Sequence, residues 1–169
     1  ESLQNEIWDV IFNDDDRNEM ADLVTLRDEV NKVCLNLYHI KFVSKGDKQS
    51  IAVPTNNLEK LNLYQICGQV QKSINWKYKD YKFFKEHFNR RENLKKLINK
   101  TRILKGDLDL IDEVCNSMRK KPLEIQIFLV QPGINKNNVS ENVLKLLYVT
   151  ANHLDITAGL KLKVIGSEI

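Results

Sequence analysis

Two short apolar runs near the start of the chain carry charged residues where a protein core does not readily accept them. The run at residues 20–26 (MADLVTL) contains Asp22, and the run at residues 33–42 (VCLNLYHIKF) ends with His39 and Lys41. Alternate residues of a strand share a face, so an apolar face becomes polar at His39 and Lys41. A buried carboxylate is costly unless it is paired or binds a cation. These three residues are therefore the first candidates for a functional site.

This combination suits the metal-dependent cleavage of a phosphodiester. The carboxylate of Asp22 would hold a divalent ion, and Lys41 would steady the attacking water or the developing phosphate charge. Glu19 lies three residues before Asp22 and could reach the same ion. The structural alternative is that Asp22 and Lys41 form an ordinary ion pair at a strand edge.

His39 and Gln69 each have a structural and a functional interpretation. A single His is usually structural, but its place beside Lys41 also fits a metal ligand, and imidazole suits Mn, Zn or Fe better than Mg. Gln69 follows a glycine in an apolar helical stretch. It could bind a substrate phosphate or a catalytic water, or it could be an exposed polar residue.

The acidic run at residues 13–18 (NDDDRN) is a predicted turn, because Asn and Asp tolerate tight-turn geometry. We expect Asp14, Asp15 and Asp16 to be turn residues, with one of them at most an outer-sphere contributor to a metal site. His87 is expected on a helix surface. The absence of GxxxxGK[ST], GxSxG and HExxH motifs gives no support to nucleoside triphosphatase, serine hydrolase or zincin activity.

The hydrophobic pattern predicts an α/β fold in one domain, residues 1–169, with a mixed central sheet flanked by helices. Strands at 8–12, 19–26 and 33–43 form an antiparallel meander, followed by a loop at 44–55. Helices are predicted at 58–70, 80–99 and 108–118, a central strand at 123–130, a helix from Ser140 to about 154, and a strand at 160–165. The last two strands, separated by a helix, imply a parallel pair.

The net charge of +3 conceals an asymmetry. Residues 1–22 contain eight acidic residues and one Arg, whereas residues 72–105 contain twelve Lys or Arg and three acidic residues. An acidic pocket beside a basic helical segment, at about residues 76–121, suits an enzyme acting on a polyanion, and a solvated helix face is the alternative. Six residues, which we call the basic arm, are candidates for contact with nucleic-acid phosphates: Lys82, Lys85, Arg90, Arg91, Lys95 and Lys96.

The cellular setting is constrained by the cysteines and by the apolar runs. Three widely spaced cysteines without a pairing or zinc pattern indicate a reducing compartment, so we expect a cytoplasmic protein. No run has transmembrane length and no signal peptide opens the chain, so no membrane association is expected. The chain begins with Glu1 rather than Met, so we expect a piece of a longer protein, with a processed or tagged start as the alternative.

Around these residues the chain resembles the PD-(D/E)xK, or restriction-endonuclease-like, nuclease superfamily. The resemblance is carried by residues 19–24 (EMADLV), 37–42 (LYHIKF) and 66–73 (ICGQVQKS). The chain looks most like the C-terminal nuclease-type domains of bacterial DEAD/DEAH helicase defence proteins, with which residues 129–136 (LVQPGINK) and 163–167 (KVIGS) also agree.

The resemblance implies a restriction-endonuclease-like fold and a divalent-metal-dependent deoxyribonuclease, of the endonuclease type, in an anti-phage or restriction-type system. Mg or Mn would be the cofactor and DNA the substrate. A helicase or ATPase region of the same or a partner chain would be the partner, and a homo-oligomer is compatible with this picture. A catalytically degenerate module that binds DNA or docks a partner is the alternative.

The resemblance also assigns roles to individual residues. Asp22 matches the metal-binding Asp of the motif, Lys41 its catalytic Lys, and Ile40 the intervening residue whose carbonyl often joins the metal shell. Gln69 resembles a helical Gln that follows the motif in several branches. The implied catalytic residues are Asp22, His39, Lys41 and Gln69, and the implied metal ligands are Glu19, Asp22, His39 and Ile40.

The chain departs from the superfamily pattern at His39, which occupies the position of a motif Asp or Glu. This change removes a hard oxygen ligand and puts catalysis with Mg in doubt. Glu19 could replace that carboxylate from the neighbouring strand.

Overall fold

The computed structural model describes residues 8–41, 63–132, 134, 137 and 139–166. Within these ranges six strands form one sheet: β1 (Val10–Asn13), β2 (Leu23–Asp28), β3 (Val33–Ile40), β4 (Ile103–Lys105), β5 (Leu123–Val130) and β6 (Lys161–Ile165). The helices of the same ranges are α1 (Leu63–Lys72), α2 (Ile74–Lys77), α3 (Tyr81–Lys96), α4 (Leu108–Ser117) and α5 (Glu141–Ala158). The predicted α/β class is confirmed.

The sheet is mixed, as the sequence predicts, with the strand order β4-β1-β2-β3-β5-β6. Strand β1 is antiparallel to both β2 and β4, and β5 is parallel to β6. The amide of Val33 donates to Pro122 O and the amide of Lys41 donates to Val130 O, each at 3.0 Å. The residue numbers increase in the same direction on both strands from the first pair to the second, so β3 and β5 run parallel. The N-terminal meander and the late parallel pair are therefore confirmed.

The chain divides into two compact units, each built from two stretches of sequence. The first unit contains Glu1–Leu37 and Trp76–Ile125, and the second contains Tyr38–Asn75 and Gln126–Ile169. Of the predicted site residues, Glu19, Asp22 and the basic arm belong to the first unit. His39, Ile40, Lys41 and Gln69 belong to the second.

Several predicted boundaries are corrected. Strand β2 begins at Leu23 rather than Glu19, because the amide of Met20 is bound by the side chain of Asp14, 2.7 Å away, which bends residues 14–22 into a loop. We call residues 14–22 the acidic loop. The short edge strand β4 was not predicted. The predicted strand end at 42–43, the loop at 44–55 and the predicted helix start at 58 lie outside the described residues.

Helix ends follow the expected capping chemistry. Side-chain oxygens of Asp80, Asp107 and Ser140 accept hydrogen bonds from amides in the first turns of α3, α4 and α5, each typically worth about 1 kcal/mol. The predicted cap at Ser140 is confirmed. Helix α5 is capped at its C-terminus by Gly159, whose φ of 60° is a left-handed conformation that glycine adopts without strain.

The buried face of α3 is partly polar. Phe84 and Phe88 are buried, and the edge of one ring meets the other in the pair Phe12–Phe88, with centroids 5.0 Å apart. Leu94 and Leu97, however, are 59% and 79% exposed. Polar residues take their place on the buried face: His87, Arg91 and Glu92. None of the helices in the described part of the chain combines the length and apolar character needed to span a bilayer.

Candidate metal centre

Three carboxylates of the acidic loop converge in the first unit. One oxygen from each of Asp15, Glu19 and Asp22 lies within 4.8 Å of the other two. Asp15 is exposed, and Glu19 and Asp22 are half-buried. Carboxylate oxygens are the ligands that Mg²⁺ and Mn²⁺ prefer, so these three residues can hold one divalent ion. The structure thus brings Glu19 and Asp22 together and adds Asp15, which was expected to be a turn residue and at most an outer-sphere contributor.

Ionisation of Glu19 is disfavoured in this arrangement. Burial, together with the nearby charges of Asp22, Asp15 and Asp14, raises the pKa of Glu19 above its usual 4.5, although the amide of Asp16 donates to its carboxylate at 3.0 Å and opposes the shift. Clustered carboxylates whose ionisation is disfavoured are stabilised by a bound cation. The acidic loop therefore has an electrostatic reason to take up a divalent ion.

Asp14 has a different environment from its neighbours in the loop. Its side chain is fully buried, and its oxygens accept hydrogen bonds from the amide of Met20, from Nε2 of His87 at 2.9 Å and from Nε of Arg91 at 2.5 Å. The expectation that His87 lies on a helix surface is wrong, because it is 3% exposed. His87 lies on the buried face of α3 between Phe84 and Phe88, and its ring contacts Asp14 there.

Arg91 does not belong to a surface that could contact DNA. It is 5% exposed and binds Asp14 through both the carboxylate and the backbone carbonyl, and its Nη1 donates to the carbonyl of Arg17 at 3.0 Å. A guanidinium engaged in this way cannot reach a phosphate without leaving the core. The prediction that Arg91 contacts nucleic acid is therefore corrected.

The rest of the basic arm is mostly accessible. Lys82, Arg90 and Lys96 are exposed and Lys95 is half-buried. Lys85 forms an ion pair with Asp112 across α3 and α4, with 2.8 Å between Nζ and Oδ2. These residues lie in the same unit as the acidic loop.

A second buried arginine was missed by sequence reasoning. Arg102 is 4% exposed, and its guanidinium donates to the carbonyls of Asn13 and Asp15 and, at 2.8 Å, to the carboxylate of Asp16. The buried carboxylate of Glu92 in turn accepts from the amide of Arg102 at 2.8 Å. Nothing in the local sequence separates Arg102 from the exposed lysines around it.

His39, in the second unit, is an interior residue. It is 2% exposed, and its Nε2 lies 2.7 Å from Oγ of Ser73, which is also buried. Burial lowers the pKa of His39 to about 4, so the imidazole is neutral at physiological pH. Within the described residues Nδ1 has no hydrogen-bond partner. Neutral imidazole is the form that binds metals, but one of its two nitrogens is already engaged.

The other candidates of the second unit lie at the end of β3 and on α1. Ile40 is the last residue of β3, and Lys41, which follows it, is half-buried. Gln69 is half-buried on α1 next to the buried Val70. The structure therefore places Gln69 between core and solvent.

Comparisons with known proteins identify no match for this chain. No protein-family model matches the chain, and neither the curated proteins nor the solved structures contain a significant match.

Proposed function

We propose that this protein is a divalent-metal-dependent deoxyribonuclease. The observation that carries the proposal is the convergence of Asp15, Glu19 and Asp22 within 4.8 Å at the end of the loop that leads into β2. The sequence predicts two of the three, Glu19 and Asp22, as metal ligands. Their all-oxygen donor set favours Mg²⁺ or Mn²⁺.

The roles of the residues follow from their chemistry. Glu19 and Asp22 hold the ion together with Asp15, and a bound ion supplies Lewis-acid activation of the phosphate and a nucleophilic hydroxide at neutral pH. The resemblance implies catalytic or metal-binding roles for His39, Ile40, Lys41 and Gln69, which belong to the second unit, and these roles stay predictions.

DNA is the proposed substrate because the metal cluster and an accessible cationic surface belong to one unit. Lys82, Arg90 and Lys96 are exposed on α3, where they are free to contact phosphates. On the resemblance, the proposal extends to a helicase or ATPase region as the partner and to a role in anti-phage defence.

One observation favours a second candidate, a nuclease-like module that binds DNA or a partner without cleavage. His39 stands where the superfamily has a carboxylate, and it is buried and bound to Ser73. A neutral buried imidazole does not replace the charge of the missing carboxylate. The exposed cations of the basic arm would serve this module equally well.

A plasmid-nicking assay distinguishes the two candidates. We expect the wild-type protein to cleave DNA in Mn²⁺ or Mg²⁺ and to be inactive in EDTA, and Asp22→Ala to abolish cleavage. Glu113→Gln is the matched control, because it removes an exposed acidic charge of the same unit outside the cluster. DNA binding without cleavage by the wild type in either metal would reject the nuclease and favour the binding module.

A further inference from the structure

The acidic loop is held in place by groups that do not belong to the carboxylate cluster. His87 and Arg91 project from α3 onto Asp14, and Asp14 also binds the amide of Met20 across the loop. Asp14, His87 and Arg91 are all buried, and we call these three residues the Asp14 network. All three belong to the first unit.

The same contacts fix the backbone of the loop. Guanidinium groups of Arg91 and Arg102 bind the carbonyls of four loop or adjoining residues: Asn13, Asp14, Asp15 and Arg17. Backbone groups engaged in this way restrict the local dihedral angles. The side chains of Asp15 and Glu19, which lie within or next to this fixed segment, are consequently held near Asp22.

The network also has an electrostatic consequence. Three clustered carboxylates repel one another, and a flexible loop would relax by separating them. Arg91 and Asp14 form a buried ion pair, which carries no net charge to offset this repulsion. Its contacts, with the hydrogen bond from the amide of Met20 to Asp14, oppose the separation by anchoring the loop to α3.

We propose that the Asp14 network preorganises the metal site, so that Asp14, His87 and Arg91 act as positioning residues for Asp15, Glu19 and Asp22. This inference rests on the metal site of the proposed function. None of the three belongs to the carboxylate cluster that would hold the ion. Residues that orient metal ligands typically contribute about 10- to 100-fold to metal affinity.

The test measures Mn²⁺ affinity directly, by electron paramagnetic resonance of free Mn²⁺ titrated with the full 169-residue chain. We expect Asp14→Asn and His87→Ala to weaken binding by about 10- to 100-fold. His87→Gln retains a side-chain N–H donor and is expected to recover part of that loss. The control is Lys121→Met, which removes the ion pair with Asp28 elsewhere in the first unit and should leave the affinity unchanged.

Circular dichroism first shows that each compared variant is folded at the temperature of the titration. A loss of folding is then not mistaken for a loss of Mn²⁺ affinity. If Asp14→Asn does not fold, the Mn²⁺ affinities of His87→Gln and His87→Ala still test the inference. Weakened binding by folded variants, with partial recovery in His87→Gln, supports the inference. Unchanged Mn²⁺ affinity in a folded Asp14→Asn or His87→Ala would overturn it.

The failure of the inference and that of the proposed function give different results. Wild-type protein that binds Mn²⁺ but cleaves no DNA rejects the nuclease, while the variants still decide the role of the Asp14 network. Wild-type protein that binds no Mn²⁺ overturns both the metal site and its preorganisation.

Discussion

His39 and Ser73 form a buried hydrogen bond that joins β3 to the residue following α1, with 2.7 Å between Nε2 and Oγ. Because burial lowers the pKa of His39 from 6.5 to about 4, the folded protein resists protonating this ring while the unfolded chain accepts the proton. The favourable contribution of neutral His39 is present above pH 6.5 and is lost as the pH falls toward 4.

His39→Gln should remove this pH dependence while leaving a polar partner for Ser73. We expect the wild type to lose about 3 kcal/mol more unfolding free energy than the variant between pH 7 and pH 4, since each pKa unit corresponds to about 1.4 kcal/mol. Urea denaturation at several pH values measures the difference. Parallel pH profiles for the two proteins would show that His39 is not a buried neutral group.

The neighbours Arg90 and Arg91 provide a matched test of the buried ion pair. Arg91→Ala leaves Asp14 buried without its guanidinium, which typically costs about 3–5 kcal/mol of unfolding free energy. Arg90→Ala removes the same charge from an exposed position and should change stability by no more than about 0.5 kcal/mol. Equal effects of the two substitutions in urea denaturation would contradict the structural assignment.

The basic arm is tested through the salt dependence of DNA binding. If Arg90 contacts a duplex phosphate, Arg90→Ala should reduce the log–log slope of affinity against salt concentration by about 0.9. Fluorescence anisotropy across a salt series measures this slope. Arg27→Ala, which removes a cation from β2 outside the basic arm, is the control and should leave the slope unchanged. If Arg90→Ala also leaves the slope unchanged, Arg90 is part of a solvated helix face.

The fold could be predicted where local pattern and tertiary structure agree. Strand β5 has the predicted bounds because it is a strongly hydrophobic segment that begins directly after Pro122. Strand β4 has only three residues, which is too short for an alternating pattern to be recognised. It exists because β1 offers it an edge for pairing, and no local pattern encodes that edge.

The site could be predicted only in part, for the same reason. Asp22 could be identified because it interrupts an apolar run, and Glu19 because it lies three residues before Asp22. Arg90 and Arg91 are indistinguishable by composition, and the burial of Arg91 depends on Asp14, 77 residues away. Asp15 lies beside Glu19 and Asp22 because Asp14 bends the loop. Three consecutive aspartates in the sequence do not reveal that bend.

Metal binding should weaken on acidification because of Glu19. Burial and the neighbouring carboxylates raise its pKa above 4.5, and the protonated form cannot donate a carboxylate to the ion. Mn²⁺ affinity should therefore begin to fall at a higher pH than for an ordinary Glu. In Glu19→Gln the affinity is weaker and the part of the pH dependence due to Glu19 is absent. Calorimetric titration of Mn²⁺ at several pH values measures both effects.

In the metal-free protein the raised pKa of Glu19 has the opposite effect, because folding stability, unlike metal affinity, decreases as the pH rises. A raised carboxyl pKa means that the contribution of Glu19 to folding stability is fully present below pH 4.5 and is lost as the pH rises through the raised value. A bound cation removes this loss by stabilising the ionised form. If Mn²⁺ stabilises wild type and Glu19→Gln equally at neutral pH, Glu19 is not a ligand.

The central claim is that Asp15, Glu19 and Asp22 form a metal centre, and anomalous diffraction from crystals soaked in Mn²⁺ tests it most directly. We predict one anomalous peak among the three carboxylates, at metal–oxygen distances of about 2–2.5 Å. Crystals of Asp22→Ala, treated identically, should lose the peak or show it with reduced occupancy. An accessible cluster without anomalous density at saturating Mn²⁺ would contradict the claim.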